Sequence, residues 1–234
     1  MDELFAPDHL LALLVIAVIG AALVTAARRS PGPWVRVATL ALAVVLVGAE
    51  VGWWIFLART GSSEYQLASA LPLQLCDMAI FIGALALVLR SQILIEITYF
   101  WGLAGTLQAL LTPDLPQRFP SFPYFQYYAA HGGIVIAALL LVVGMRCRPR
   151  HDAIWRVMAI TLAYVAFVGA VDAFSGLNYM YLRAKPASAS LFDLMGPWPW
   201  YLVVATGVGV ALFVVLDAPF RARRAIESRA ALKS

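Results

Sequence analysis

Charge is scarce in this chain: 13% of its residues are Asp, Glu, Lys or Arg, against 62% hydrophobic. A soluble domain carries about 25% charged residues, so most of this surface must face something other than water. Cysteine is nearly absent as well. Cys76 and Cys147 alone make no disulfide scaffold, and without a CxxC or Cys/His cluster no metal site is expected. Lys185 and Lys233 both fall outside the hydrophobic runs, which excludes a retinal Schiff base. There is no Walker motif and no HExxH. A rhomboid-type serine site is excluded too, because Phe174–Ser175–Gly176 has the wrong context and no histidine follows it. No internal repeat or low-complexity segment is visible, and the hydrophobic runs follow each other too closely for a separate soluble domain.

Long hydrophobic runs are plentiful. Mean hydropathy is +0.83, and a spanning helix needs about 20 mostly apolar residues. Seven stretches meet this or come close: 9–27, 35–58, 69–90, 93–111, 122–145, 154–175 and 197–217. The fourth carries Glu96 and follows a tight connection at Arg90–Ser91–Gln92. The first is no signal peptide. Asp2, Glu3 and Asp8 precede it where a basic region belongs, and Arg28 and Arg29 follow it. The predicted fold is all-α, a polytopic membrane protein whose residues 1–220 form a bundle of seven transmembrane helices. A basic cytoplasmic tail, 221–234, follows, either as an interfacial helix on anionic headgroups or as a frayed end.

The 17 basic residues orient the bundle. With the N-terminus outside, the inner set is Arg28, Arg29, Arg36, Arg90, Arg146, Arg148, Arg150, Arg156, Arg221, Arg223, Arg224, Arg229 and Lys233. Arg59, Arg118, Arg183 and Lys185 fall outside. Cytoplasmic loops favour Lys and Arg, so the expected location is the bacterial plasma membrane, N-terminus outside and C-terminus cytoplasmic. The 177–196 segment is too polar and broken to span. Its Tyr179, Met180, Tyr181, Leu191 and Phe192 predict that it folds back over the outer mouth.

Ionisable groups within a bilayer are costly and mark function by default. At 1.5 Å per residue, Glu50, Cys76 and His131 fall roughly 10–14 Å below the outer surface. Asp77 adjoins Cys76, and Gln108, Asp172 and Asn178 lie nearer the same edge, whereas Glu96 sits near the inner face. One polar layer predicts a shared outward cavity, or else hydrogen bonds that only hold the bundle together. Cys76 alone would be a small buried hydrophobe. His131 is the one histidine inside a span, and a thiol needs such a base to become a nucleophile. Glu50 would orient the imidazole, and Cys147, among inner-side arginines, cannot join the site.

Leu71–Pro72–Leu73–Gln74–Leu75–Cys76–Asp77 resembles the PLHLCD motif of the YwaF-like bacterial integral membrane proteins, relatives of the eukaryotic transmembrane protein 164. The similarity continues through the residues from Tyr99 to Asp114, at His131–Gly132, Asn178–Tyr179–Met180–Tyr181–Leu182, Lys185–Pro186 and Asp193, and through Gly196–Pro197–Trp198–Pro199–Trp200–Tyr201. It covers nearly the whole chain. The eukaryotic relative is described as a fatty-acyl transferase acting on lysophospholipids through a cysteine and a histidine. The resemblance therefore implies Cys76 as nucleophile and His131 as its partner. Gln74 stands where the motif has histidine.

The resulting expectation is a membrane acyltransferase or transacylase moving an acyl group between phospholipids and lysophospholipids. Cys76 and His131 would be catalytic. Glu50, Gln74, Asp77, Gln108, Asp172 and Asn178 would line the cavity or bind substrate, with no cofactor. The rival is a small-solute or ion transporter, or a receptor, in which Glu50, Asp77 and Asp172 carry protons or cations.

Overall fold

The computed structural model describes residues 6–60, 71–113, 115, 117–186 and 190–231. Asp2, Glu3, Asp114, Lys233, residues 69–70 of the third predicted span and residues 187–189 of the predicted lid lie outside them. Among the described residues seven helices make up the bundle: α1 (Pro7–Arg29), α2 (Pro33–Thr60), α3 (Leu75–Leu89), α4 (Gln92–Leu111), α5 (Phe122–Gly144), α6 (Ala153–Ser175) and α7 (Trp200–Ala231). All but α3 are long and apolar enough to cross a membrane, and no strand occurs among the described residues.

Local chemistry sets the helix ends. Pro7 opens α1, where its missing N–H is harmless, with Asp8 in the first turn and Arg28 and Arg29 in the last, each charge matched to the helix dipole. At the start of α5, Ser121 Oγ accepts the Tyr124 N–H at 3.4 Å. Gly176, at φ +78°, ends α6 in the left-handed conformation that glycine adopts freely. α7 runs on through the basic segment to Ala231, so in the described residues the tail continues the last span.

The direction of each helix follows from contacts at the two ends. Arg28, at the end of α1, donates to Val143 O near the end of α5, and Arg36, in the first turn of α2, donates to Val88 O near the end of α3, both at 2.9 Å. Gln92, opening α4, reaches Arg148 O beyond α5 at 2.8 Å. At the opposite end His9 of α1 meets Tyr128 of α5. The helices therefore alternate. α3, with 15 residues, is only about 22 Å long, and Val88 near its end lies at the level where α2 begins.

α4 and α5 form the centre, the most deeply buried helices of the bundle. α1 and α2 pack on α5, α6 and α7 on α4, and α3 against α2, α4 and α5. Close approach to α5 depends on two glycines. A Cβ at Gly132 would stand 2.6 Å from Ile16 of α1, and one at Gly133 would stand 2.9 Å from Leu46 of α2. The outer helices turn apolar side chains such as Leu11, Val44, Trp155 and Val203 outward. In a soluble protein that would be a liability, but on a bilayer-spanning bundle it is the lipid contact.

Candidate functional site

Leu71–Pro72–Leu73 leads into α3 with Gln74 as its N-cap, φ −65° and ψ 148°. Pro72 favours this extended approach, since the residue before a proline avoids the helical region. Asp77, three residues into the helix, accepts the backbone N–H of Gln74, which closes the first turn. Cys76 is thus the second helical residue, at the end of a helix dipole that favours negative charge. Its half-buried Sγ lies 4.0 Å from the Thr106 hydroxyl of α4.

Thr106 closes a π-helical turn, Gly102–Thr106, of the kind that recurs at functional sites. Two glycines let neighbours press against it. A Cβ at Gly105 would meet Leu75 at 3.2 Å, and one at Gly102 would meet Ile134 of α5 at 3.2 Å. α3 and α5 therefore flank the same turn.

His131 lies one turn before Ile134 on α5. Its ring stacks on Tyr127, centroids 4.0 Å apart, and its Nδ1 lies 2.9 Å from Tyr127 O. A carbonyl only accepts, so Nδ1 carries the proton and Nε2 is the basic nitrogen. The orienting role expected of Glu50 falls to this carbonyl. The Tyr127 hydroxyl donates to Ala109 O at 2.7 Å, fixing that face of α5 against α4.

The remaining residues singled out in the sequence divide into groups. Glu50 is buried, 2% exposed, with no hydrogen bond to the described residues, and it interacts electrostatically with Asp77. Gln108 is half-buried on α4 next to the π-turn, and no described residue hydrogen-bonds its side chain. Gln74 Oε1 accepts the Met180 N–H at 2.8 Å, and Asp172 Oδ1 accepts the Tyr179 N–H at 2.9 Å. Asp172 Oδ2 is buried without a hydrogen-bond partner among the described residues. Asn178 spends its amide on its own turn, donating to Ala184 O and accepting from the N–H groups of Arg183 and Ala184. The described part of 177–196 packs against the start of α3 and of α7. The Leu71 N–H donates to the Tyr179 hydroxyl oxygen, Trp198 donates to Leu182 O, and Tyr201 donates to Tyr181 O. Burial pushes the Tyr179 phenol up from its ordinary value.

Sequence reasoning missed three features. Thr106, now beside Cys76, is one of several threonines in hydrophobic runs and carries no signal of its own. His9, the first residue of the first hydrophobic run, is buried between Tyr128 OH, 2.7 Å from Nδ1, and Leu111 O. Asp217 is buried in α7 and paired with Arg221 and Arg224. The Asp217–Arg221 spacing of four was a legible helix-pair signal.

At the arginine-rich end, Glu96 is 0% exposed and gripped by Arg150 at 2.9 Å and Arg156 at 3.2 Å. Cys147 is half-buried nearby. Burial pushes its thiol up, and Arg90 pulls the other way. Among the described residues no group of His, Cys, Asp and Glu could hold a metal ion.

Comparison with curated proteins and with solved structures gives no match. The TMEM164 family model matches residues 4–217, and with nearly the whole chain covered the protein belongs to that family.

Proposed function

We propose that the protein is a membrane-embedded acyltransferase or transacylase that moves a fatty acyl group between phospholipids. What supports this reading is the end of the bundle where Cys76 opens α3 beside Thr106, while neighbouring α5 carries His131 with Nε2 unprotonated. In the proposed cycle Nε2 takes the Cys76 thiol proton as sulfur attacks an ester carbonyl of the donor phospholipid. The tetrahedral intermediate collapses to a thioester. The lysophospholipid oxygen leaves with the proton from the imidazolium. A lysophospholipid hydroxyl then gives its proton to Nε2, attacks the thioester carbonyl, and releases the thiol and a new phospholipid. Gln108, with its amide unengaged, is the candidate oxyanion donor, and Asn178, held in its own turn, is the weaker one. Donor and acceptor are both lipids, so the cycle calls for no cofactor.

The proposed location is the bacterial cytoplasmic membrane, N-terminus outside, on the asymmetry of basic residues. Cys76 and His131 then lie toward the outer face, near the depth of acyl esters. A second reading, a proton- or cation-coupled carrier, draws on the neighbouring carboxyl groups of Glu50 and Asp77, which have no cationic partner among the described residues. The readings separate on sulfur. Purified protein is incubated with acyl-labelled phospholipid and a lysophospholipid, wild type beside Cys76→Ala. Acyl transfer that requires Cys76 supports the enzyme, and transfer that survives the substitution overturns it.

A further inference from the structure

At the end of the bundle opposite Cys76, a cleft of about 500 Å³ lies between the α1–α2 connection and the C-terminal ends of α3 and α5. Arg28, Arg36, Arg90 and Arg146 line it, one from each of four elements, and no acidic residue does. The acids of this end are engaged elsewhere. Glu96 holds Arg150 and Arg156, Asp217 holds Arg221 and Arg224, Glu227 holds Arg148 and Arg223, and Asp152 meets His151. Among the described residues of this end, Arg28, Arg29, Arg36, Arg90 and Arg146 have no carboxylate partner, and four of these five line the cleft.

Two of the four are braced. Arg28 gives one N–H to Val143 O and Arg36 one to Val88 O, each at 2.9 Å, which leaves the rest of each guanidinium fork free. The other two, Arg90 and Arg146, make no side-chain hydrogen bond to the described residues. Both have left-handed backbones, φ 54° and 62°, at helix ends where glycine is the usual residue. Arginine at both strained positions brings two more unpaired cations to the cleft. Ala27, Val35 and Met145 supply the apolar part of the cleft wall, and Leu89 and Val143 beside it are exposed.

We infer that this cleft is an anion site for a phosphate ester, recognised by forked guanidinium contacts. A phospholipid headgroup and a soluble phosphate share that chemistry. The site is independent of any reaction at Cys76.

The test uses the full chain in phosphatidylcholine nanodiscs. Phosphatidic acid is titrated into the bilayer in one arm and inorganic pyrophosphate into the buffer in the other. Arg90→Gly/Arg146→Gly is compared with Arg148→Gln/Arg223→Gln, which removes the same formal charge from the same end. At roughly 1 kcal/mol per arginine near the surface, the cleft pair should weaken binding about thirtyfold, and the control pair should change it less than about threefold. Glycine relieves both left-handed positions, so the melting temperature in phosphatidylcholine alone should not fall. Binding in the lipid arm assigns a headgroup and binding in the pyrophosphate arm a soluble phosphate. Equal losses in the two double variants, or no binding in either arm, would overturn the site.

Discussion

Cys76 and Cys147 carry the same thiol in different settings. Cys76 opens a helix beside a hydroxyl, whereas Cys147 sits in a connection where its Sγ reaches only Met145 O, at 3.8 Å. Because burial pushes the Cys147 thiol up, it should alkylate slowly at neutral pH and faster as pH rises through the ordinary thiol range, about 8.5 and above. A Cys147→Ser background therefore isolates Cys76. On it, His131→Ala should slow iodoacetamide labelling of Cys76 and lower acyl transfer by at least about a hundredfold, the usual contribution of a general base. Labelling at an unchanged rate would separate the two residues chemically. Gln74 belongs to this scale too. Its carboxamide oxygen is occupied by the Met180 N–H, so in this chain the position of the family-like histidine ties down a neighbouring segment.

Among the elements, α5 has the least room. A methyl added at Gly132 meets Ile16 side-chain atoms at 2.6 and 2.8 Å. Gly132→Ala should lower the thermal midpoint in detergent by an amount corresponding to about 1–3 kcal/mol of overpacking. Ile16→Ala in the same chain should recover part of the loss, and a fall of equal size with and without that second change would show that α1 does not pack there. The segment after α6 is held by single hydrogen bonds to side chains. Gln74→Ala leaves the Met180 N–H unpaired, a cost of about 1 kcal/mol. The expected outcome is faster amide exchange over residues 179–182 with the exchange of α5 unchanged, read by hydrogen–deuterium exchange mass spectrometry.

Over the whole molecule, the two ends obey different electrostatics. At one end the buried carboxyl groups of Glu50 and Asp77 have no cationic partner among the described residues, while Asp8 and Asp193 at the surface pair with Arg118 and Lys185. At the other, arginines outnumber the acids, and the acids present anchor connections to helices. Glu96 on α4 grips Arg150 ahead of α6 and Arg156 within it, each arginine partly exposed. Glu96→Gln should cost about 1–3 kcal/mol, less than a fully buried pair because solvent reaches both arginines. The loss should appear as a lower midpoint that added salt does little to change, since the carboxylate itself is buried. The arginine-rich end should face the cytoplasm. Green fluorescent protein fused at the C-terminus should fluoresce and alkaline phosphatase fused there should be inactive; the reverse pattern would invert the bundle.

The sequence by itself determined the helical class, the number of helices and their alternation. Each rests on a property summed along one segment: apolar length, or basic residues between runs. It also marked Cys76, Asp77, Glu50 and His131, because ionisable groups are rare enough in apolar runs to stand out singly. Only the tertiary structure decided their neighbours. Thr106 beside Cys76, the Tyr127 carbonyl in the orienting place expected of Glu50, and Asn178 closed on its own turn all depend on helix rotation and on a π-turn. Nearly uniform apolar sequence does not fix rotation, because a helix hydrophobic all round has no stripe to read. Contacts such as Gly132 on Ile16, and Leu75 and Ile134 on one π-turn, set it. The division of the arginines into paired and unpaired sets has the same origin. Their charge was legible, but their partners come from segments as far apart in sequence as Glu96 and Arg150, which meet only when the helices pack.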